Sequence, residues 1–270
     1  MERIKEALER ARQQQALHPP QPNSESQVAD TSRRQKEAPI TYSRTKVVEL
    51  SRTALKRKRI IVGSDNDEIT SAYKILRTQV LQRMVANGWN GLAITSPGGG
   101  QGKTTTAVNL AVSIAREVHH TVLLVDFDML KPGIHDRLAF TPAKGITDFL
   151  MHDIPLNEIL INPGIERLVV LPGRESVPNS SELLASPRMA QLVDELKSRY
   201  PSRFVLFDLP PLLAVDDALA FSPYVDAVLL VIEEGKTTKD ELTHAIDLLS
   251  KTQIIGTVLN KSQDKVSRYY

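Results

Sequence analysis

The sequence predicts an α/β protein whose mostly parallel, doubly wound sheet carries helices on both faces. Three observations predict it. From Leu92 onward, short apolar runs alternate with stretches long enough for helices, the pattern of strands joined by helical crossovers. Most of those runs are apolar at every position rather than at alternate ones, as expected of strands covered on both sides. The first run, Leu92-Ala93-Ile94-Thr95, leads into Ser96-Pro97-Gly98-Gly99-Gly100-Gln101-Gly102-Lys103-Thr104-Thr105, and an Ala/Val/Leu-rich helical pattern follows from Thr106 to Val118. A strand, a glycine loop ending in Gly-Lys-Thr and a helix make the phosphate-binding loop of a P-loop NTPase domain.

Composition narrows the class. A chain of 270 residues with 41% apolar residues is long enough for one globular domain with extensions. With no cysteine there is no disulfide and no thiolate metal site, which fits a reducing cytoplasm. No apolar run reaches the ~20 residues that cross a bilayer, and the N-terminus lacks the apolar core of a signal peptide. The expectation from the residues is a soluble protein, or one peripheral to a membrane through a partner. Charge is uneven: residues 1–60 hold 14 Lys/Arg against 7 Asp/Glu, and the remainder 20 against 25. A basic arm thus precedes an acidic body.

Taken in order, residues 1–17 read as a short amphipathic helix, with Ile4, Leu8 and Ala11 on one stripe and Glu6/Arg10 at pair spacing. Residues 18–45 read as a disordered linker, rich in Pro, Gln, Ser and Asn. The nucleotide domain is expected over residues 46–262. It begins with an irregular approach that contains Val47-Val48-Glu49-Leu50, an edge strand or packed arm, and the basic run Lys56-Arg57-Lys58-Arg59. No aromatic interleaving accompanies that run, so no nucleic-acid partner is expected. Asp65 to Ala86 reads as a helix capped by Ser64 or Asp65, with Ile69, Tyr73, Leu76, Val80, Leu81 and Met84 at three- and four-residue steps; Asn87-Gly88 stops it. Strands are then predicted at Leu92–Thr95, Val122–Asp126, Leu168–Leu171, Phe204–Asp208, Ala227–Ile232 and Gly256–Leu259. The helices between them are predicted at Thr104–Val118, Ile146–Leu150, Leu156–Leu160, Pro187–Arg199, Val215–Phe221 and Thr237–Ser250. Residues 263–270 read as a flexible tail ending in Tyr269 and Tyr270.

The site residues follow from this frame. Glycines at 98, 99, 100 and 102 let backbone N–H groups turn inward around a polyphosphate. Gln101, Thr105 and the start of the next helix complete the cradle. Lys103 is placed to reach the β and γ phosphates, and the Thr104 hydroxyl to ligate Mg²⁺. Two further strands end in carboxylates, Asp126-Phe127-Asp128 and Asp208. A parallel sheet brings both acidic ends to the edge that carries the phosphate loop. One carboxylate there can hold the metal or its waters and another accept a proton. Asn260-Lys261-Ser262-Gln263 ends the last strand. It begins like the guanine-reading tetrad of GTPases, but Gln263 stands where a carboxylate is needed to accept two guanine donors, so the base is expected to be adenine, with Asn260 beside it or serving as a turn residue.

These motifs resemble the bacterial tyrosine autokinases (BY-kinases) of capsule and exopolysaccharide loci, and among them the separately encoded cytoplasmic type. Ser96–Thr105 matches their Walker A element, Val122–Asp128 Walker A′ and Phe204–Asp208 Walker B, with Pro210-Pro211 and Asp216-Asp217-Ala218 beyond. Pro97 in place of the first motif glycine is usual there. Gly98 stands where the related Min and Par ATPases carry a signature lysine. The resemblance implies ATP and Mg²⁺ as cofactors, with Lys103, Asp126 and Asp128 catalytic and Asp126 activating the acceptor hydroxyl. It also implies Thr104, Asp128 and Asp208 about the metal, and Tyr269 and Tyr270 as phosphoacceptors. The partners implied are the cytosolic segment of a membrane chain-length determinant (a polysaccharide co-polymerase), further copies of this chain in an ATP-bound oligomer, and a tyrosine phosphatase. Met129-Leu130-Lys131-Pro132 stands where the family has Leu-Arg-Arg-Pro. Ser71, Lys74 and Arg77 stand where a Glu and two Arg dock neighbouring subunits. The alternative function is an ATP-binding or ATP-hydrolysing switch of the same fold.

Overall fold

A single sheet of eight strands organises the computed structural model, which describes residues 45–61, 68–200 and 202–263. The helix expected at 1–17, the linker up to residue 44, the caps Ser64 and Asp65, and the tail tyrosines lie outside the described residues. The chain divides into two units, Met1–Ala38 and Pro39–Tyr270, and the sheet belongs to the second. The strands are β1 (Lys46–Val47), β2 (Gly91–Thr95), β3 (Thr121–Asp126), β4 (Ile161–Asn162), β5 (Leu168–Leu171), β6 (Arg203–Asp208), β7 (Ala227–Glu233) and β8 (Ile254–Asn260). They lie in the order β1-β4-β5-β3-β6-β2-β7-β8. Every neighbouring pair is parallel except β4 with β5. Six of the eight are the strands expected from their apolar runs. The two-residue strands β1 and β4 extend the sheet at one edge; β1 overlaps the edge strand predicted at Val47–Leu50 only at Val47, whereas β4 carries no readable period.

The helices are α1 (Arg52–Arg57), α2 (Glu68–Ala86), α3 (Lys103–Ala115), α4 (Ile134–Arg137), α5 (Ile146–His152), α6 (Ser180–Leu184), α7 (Pro187–Ser198), α8 (Asp217–Phe221) and α9 (Lys239–Leu248). The predicted helix at Leu156–Leu160 is a three-residue 3₁₀ turn, Leu156–Glu158. The approach segment, expected to be irregular, holds α1, and its basic run straddles the end of that helix, with Lys56 and Arg57 in the last turn and Lys58 and Arg59 beyond it. Leu55 and, just beyond it, Ile60 and Ile61 are buried. The strands alternate their side chains between two cores. Leu92, Ile94, Val122, Leu124 and Leu206 pack with α2 and α3 on one face. Ala93, Leu123, Val125, Val205 and Phe207 pack with α5, α7, α8 and α9 on the other. Two buried faces explain the unbroken apolar runs. Helix α2 ends as predicted: Gly88 takes a left-handed φ of 68°, and Trp89 N donates to Met84 O at 2.9 Å.

Candidate active site

The site lies at the carboxyl ends of β2, β3 and β6, where β6 stands between the strand that leads into the phosphate loop and β3, so both acidic strand ends share the loop's edge of the sheet. Parallel pairing of β3 with β6 sets Asp126 directly opposite Asp208. Phe127 N donates to Asp208 O at 2.9 Å. Below them Phe127, Phe207 and Phe221 form a close aromatic cluster with centroids 4.9–5.6 Å apart, which fixes both strand ends on a rigid floor. The turn after β6 braces the loop from behind: Leu212 N and Leu213 N donate to Ser96 O and Pro97 O at 2.8 and 3.0 Å.

Within the loop, Gly102 has a left-handed φ of 96° and opens α3 without any side-chain cap, so the helix's first N–H groups face the site unoccupied by the protein's own side chains. Gln101 is buried, and its Oε1 accepts from Gly98 N at 3.2 Å. Lys103 folds onto the carboxylates. Its Nζ lies 2.6 Å from Asp128 Oδ2 and 3.6 Å from Asp208 Oδ1 and donates to Thr104 Oγ1 at 3.2 Å. Burial works to lower the Lys103 pKa, but Asp208 and Asp128 outweigh it, and the net shift is upward. Asp128 Oδ1 accepts from Lys131 N at 3.0 Å. Asp126 Oδ2 accepts from Gly133 N and Ile134 N, both at 2.9 Å. Burial, reinforced by Asp208, pushes its pKa up to about 8.

One lysine thus stands among three buried aspartates, and three of their oxygens (Asp126 Oδ1 and both of Asp208) have no hydrogen-bond partner. Lys103 alone offsets three buried carboxyls, with only a 3.6 Å approach to Asp208, so the unpartnered oxygens leave room for a second cation, and hard oxygen donors suit Mg²⁺. The residues present therefore fit a Mg²⁺–nucleotide. Among the described residues no three His, Cys, Asp or Glu side chains form a metal cluster by themselves; a phosphate-bound Mg²⁺ takes most of its ligands from phosphate and water.

The structure brings the loop residues, Lys103, Thr104, Asp126, Asp128 and Asp208 together. Asn260 approaches the loop itself, its Nδ2 donating to Gln101 O at 2.8 Å. Tyr269 and Tyr270 lie outside the described residues. Sequence reading does not single out the Gly133 and Ile134 amides that hold Asp126. A Pro-Gly pair before a four-residue helix is the only signal, and so short a helix shows no periodicity. It also misses Gly173, where a Cβ would stand 2.7 Å from Pro132 Cβ and 3.3 Å from Asp126 Cγ. At the atypical Walker A′ positions, Met129 is buried in the core, Leu130 is half-buried and Lys131 is exposed. Arg77, the one full match to the docking helix, is turned onto the end of α3 and the turn after it in its own chain: its Nε lies 3.0 Å from Glu117 Oε1, and its Nη1 donates to Ser113 O at 3.2 Å.

A glycine loop opening a helix beside two carboxylate-tipped parallel strands defines a P-loop nucleotide-binding protein, and residues 90–261 match the family model described as an AAA domain. The chain is 33% identical over 217 residues to the tyrosine-protein kinase YwqD of Bacillus subtilis, covering 79% of this chain and 90% of that one. To the putative tyrosine-protein kinase CapB of Staphylococcus aureus it is 32% identical, covering 75% and 89%. The kinase domain of the Escherichia coli tyrosine kinase ETK superposes with a TM-score of 0.69 at 28% identity, covering 83% and 91%. A longer relative, the succinoglycan biosynthesis transport protein ExoP of Rhizobium meliloti, is 29% identical over 76% of this chain but only 26% of its own length. The chain belongs to this AAA-domain family and, within it, to the bacterial tyrosine-protein kinases.

Proposed function

We propose that this protein transfers the γ-phosphoryl group of ATP to tyrosines, including Tyr269 and Tyr270 of a neighbouring copy, and thereby regulates the polymerisation and export of an exopolysaccharide or capsule. The observation that carries the reading is the buried Lys103–Asp128–Asp208–Asp126 cluster beneath the glycine loop. In the transfer, the tyrosine oxygen forms a bond to the γ phosphorus. The bond from that phosphorus to the β–γ bridging oxygen breaks, ADP leaves, and the phenol proton passes to a carboxylate.

The chain's own groups have distinct tasks in that step. Loop amides and Lys103 hold the phosphates in line and stabilise charge on the moving group. Thr104 and Asp208 are the candidates to hold Mg²⁺ directly, with Asp128 supporting its waters while restraining Lys103. Bound Mg²⁺ supplies positive charge that offsets the phosphate oxygens and favours ionised carboxylates around it. Asp126 is the candidate acceptor of the phenol proton. Gly133 and Ile134 aim it by holding one oxygen and leave the other bare. A phenol pKa of about 10 makes such help necessary at neutral pH.

The partner we infer is the cytosolic segment of a membrane polysaccharide co-polymerase, met by the basic arm of residues 1–60, with a tyrosine phosphatase reversing the modification. Among the described residues no helix is long and apolar enough to cross a membrane, and in ExoP the matching stretch is one part of a longer chain; both favour association with the inner membrane through a partner. Purified protein incubated with Mg-ATP is expected to give a phosphotyrosine signal. Lys103→Ala should reduce it by at least ~100-fold, since it removes a charge that stabilises the transition state. Tyr269→Phe/Tyr270→Phe should abolish the tail signal. A silent wild-type protein, even with the partner's cytosolic segment present, would refute the reading.

A further inference from the structure

The outer rim of the phosphate loop is gripped by side chains from another part of the chain. Three consecutive carbonyls accept from three different donors. Lys236 Nζ donates to Gly99 O at 3.2 Å, Lys261 Nζ to Gly100 O at 2.8 Å and Asn260 Nδ2 to Gln101 O at 2.8 Å. The donors come from the turn after β7 and the end of β8. Glu233, at the end of β7, ties the two lysines together: its Oε2 lies 2.9 Å from Lys261 Nζ and 3.7 Å from Lys236 Nζ. Lys261 adopts a left-handed φ of 58°, a conformation uncommon for a residue other than glycine. Asn260 uses space that only a glycine leaves open, because a Cβ on Gly102 would lie 2.0 Å from Asn260 Nδ2.

The consequence comes from the planarity of the peptide. In a trans peptide the C=O and the next residue's N–H point in opposite directions. Fixing the carbonyls of Gly99, Gly100 and Gln101 on one side therefore commits the N–H groups of Gly100, Gln101 and Gly102 to the other. A glycine-rich loop otherwise loses much conformational entropy when a phosphate orders it. We propose that Lys236, Lys261 and Asn260, with Glu233 as the anchor of the two lysines, form a carbonyl clamp that presets the phosphate loop for ATP. They are positioning residues, acting through the loop backbone. The proposal rests on the reading of Ser96–Thr105 as an ATP site and goes beyond it by assigning a task to Glu233, its two lysines and Asn260 at the loop's outer rim.

The test is equilibrium binding of ATP and ADP to the full chain, with thermal melting of the nucleotide-free protein alongside. Lys261→Ala and Lys236→Ala are each expected to weaken ATP binding about 3- to 10-fold, the scale of one ordinary hydrogen bond, and the double variant by more than about tenfold. Melting of the nucleotide-free chain should stay within a few degrees of wild type. Glu233→Gln is the decisive arm. It leaves both lysines charged but removes their anchor, so a clamp predicts weaker binding. Lysines that simply touched phosphate would bind as well or better once a nearby negative charge is gone, and that result overturns the proposal. Lys261→Arg, which can still donate to Gly100 O, should recover at least half of the lost affinity, measured as the logarithm of Kd; no recovery counts against the clamp. A wild-type chain that binds ATP while all these variants bind equally overturns the clamp alone. A wild-type chain that binds no nucleotide overturns the ATP site and the clamp with it.

Discussion

At the scale of single residues, chemistry and stability oppose one another at Asp126. Its carboxyl is fully buried and faces Asp208 across the β3–β6 register, and its pKa rises to about 8. The unfolded chain loses that proton near the ordinary value of 3.8, so between the two values the folded state binds more protons than the unfolded one. Stability from this group is therefore fully present below about pH 4 and is lost as pH rises through 8. Asp126→Asn removes the titration, yet its carboxamide oxygen can still accept from Gly133 N and Ile134 N. We expect the nucleotide-free Asn variant to melt higher than wild type, with a difference that grows between pH 5 and pH 8. Each ~1 kcal/mol corresponds to about 2–4 °C in a domain of this size. Tyrosine phosphorylation should fall by at least ~100-fold in the same variant, since it has no carboxylate to take the proton. A melting difference that is flat across that range would show that Asp126 does not titrate there.

At the scale of elements, the carboxylates proposed to serve the transfer are only as well placed as the strand ends that carry them. Phe221, at the end of α8, packs edge-on against Phe127 at 4.9 Å and lies 5.1 Å from Phe207, and it is fully buried. Phe221→Ala should cost about 3–5 kcal/mol, as buried Phe-to-Ala changes do. It should lower the phosphorylation rate more than it weakens ATP binding, because the cavity opens beneath Asp126 and Asp208 while the loop keeps its own supports. Denaturant melting with single-turnover rates checks both parts; full activity per folded molecule would separate the aromatic floor from the site. Much of this arrangement is legible in the sequence. The apolar runs, Gly-Lys-Thr and the two acidic strand ends are local signals, and parallel topology converts them into one site without further information. The short helices α1, α4 and α6 and the strand β4 are not legible, because two to six residues carry no period and tertiary contacts alone stabilise them. The clamp lies between. Asn260-Lys261 stands out as the start of a base-reading tetrad, but only the fold brings Lys236 and Glu233 beside it. Arg77 is a similar case: the family resemblance implies a docking role for it, and the structure spends its guanidinium on Glu117 and Ser113 of the same chain.

At the scale of the whole molecule, the segment before α2 decides where the folding unit begins. Residues 1–38 and 39–270 form separate units, so a chain that starts at Pro39 should retain the entire sheet and both cores. We expect it to melt within a few degrees of the full chain and to bind ATP equally well. A chain that starts at residue 62 should behave very differently. It loses β1, which pairs with β4 at the sheet edge, and it loses Leu55, Ile60 and Ile61, which fill the core beside α3. It also strands a buried side chain. Asn109 of α3 is 1% exposed, accepts from Ile61 N at 2.9 Å and donates to Arg59 O at 3.0 Å; without the arm both bonds are lost. Three buried aliphatic side chains at about 1.5–3 kcal/mol each and an unpaired buried amide at about 1–3 kcal/mol together rival the ~5–15 kcal/mol that holds a typical domain folded. The chain from residue 62 should therefore fail to show a cooperative melt or melt at least ~15 °C lower. Because α3 carries the phosphate loop at its N-terminus, its ATP affinity should fall as well. Equal melting of the two truncated chains would mean that the arm only decorates α3 and adds nothing to the stability of the core.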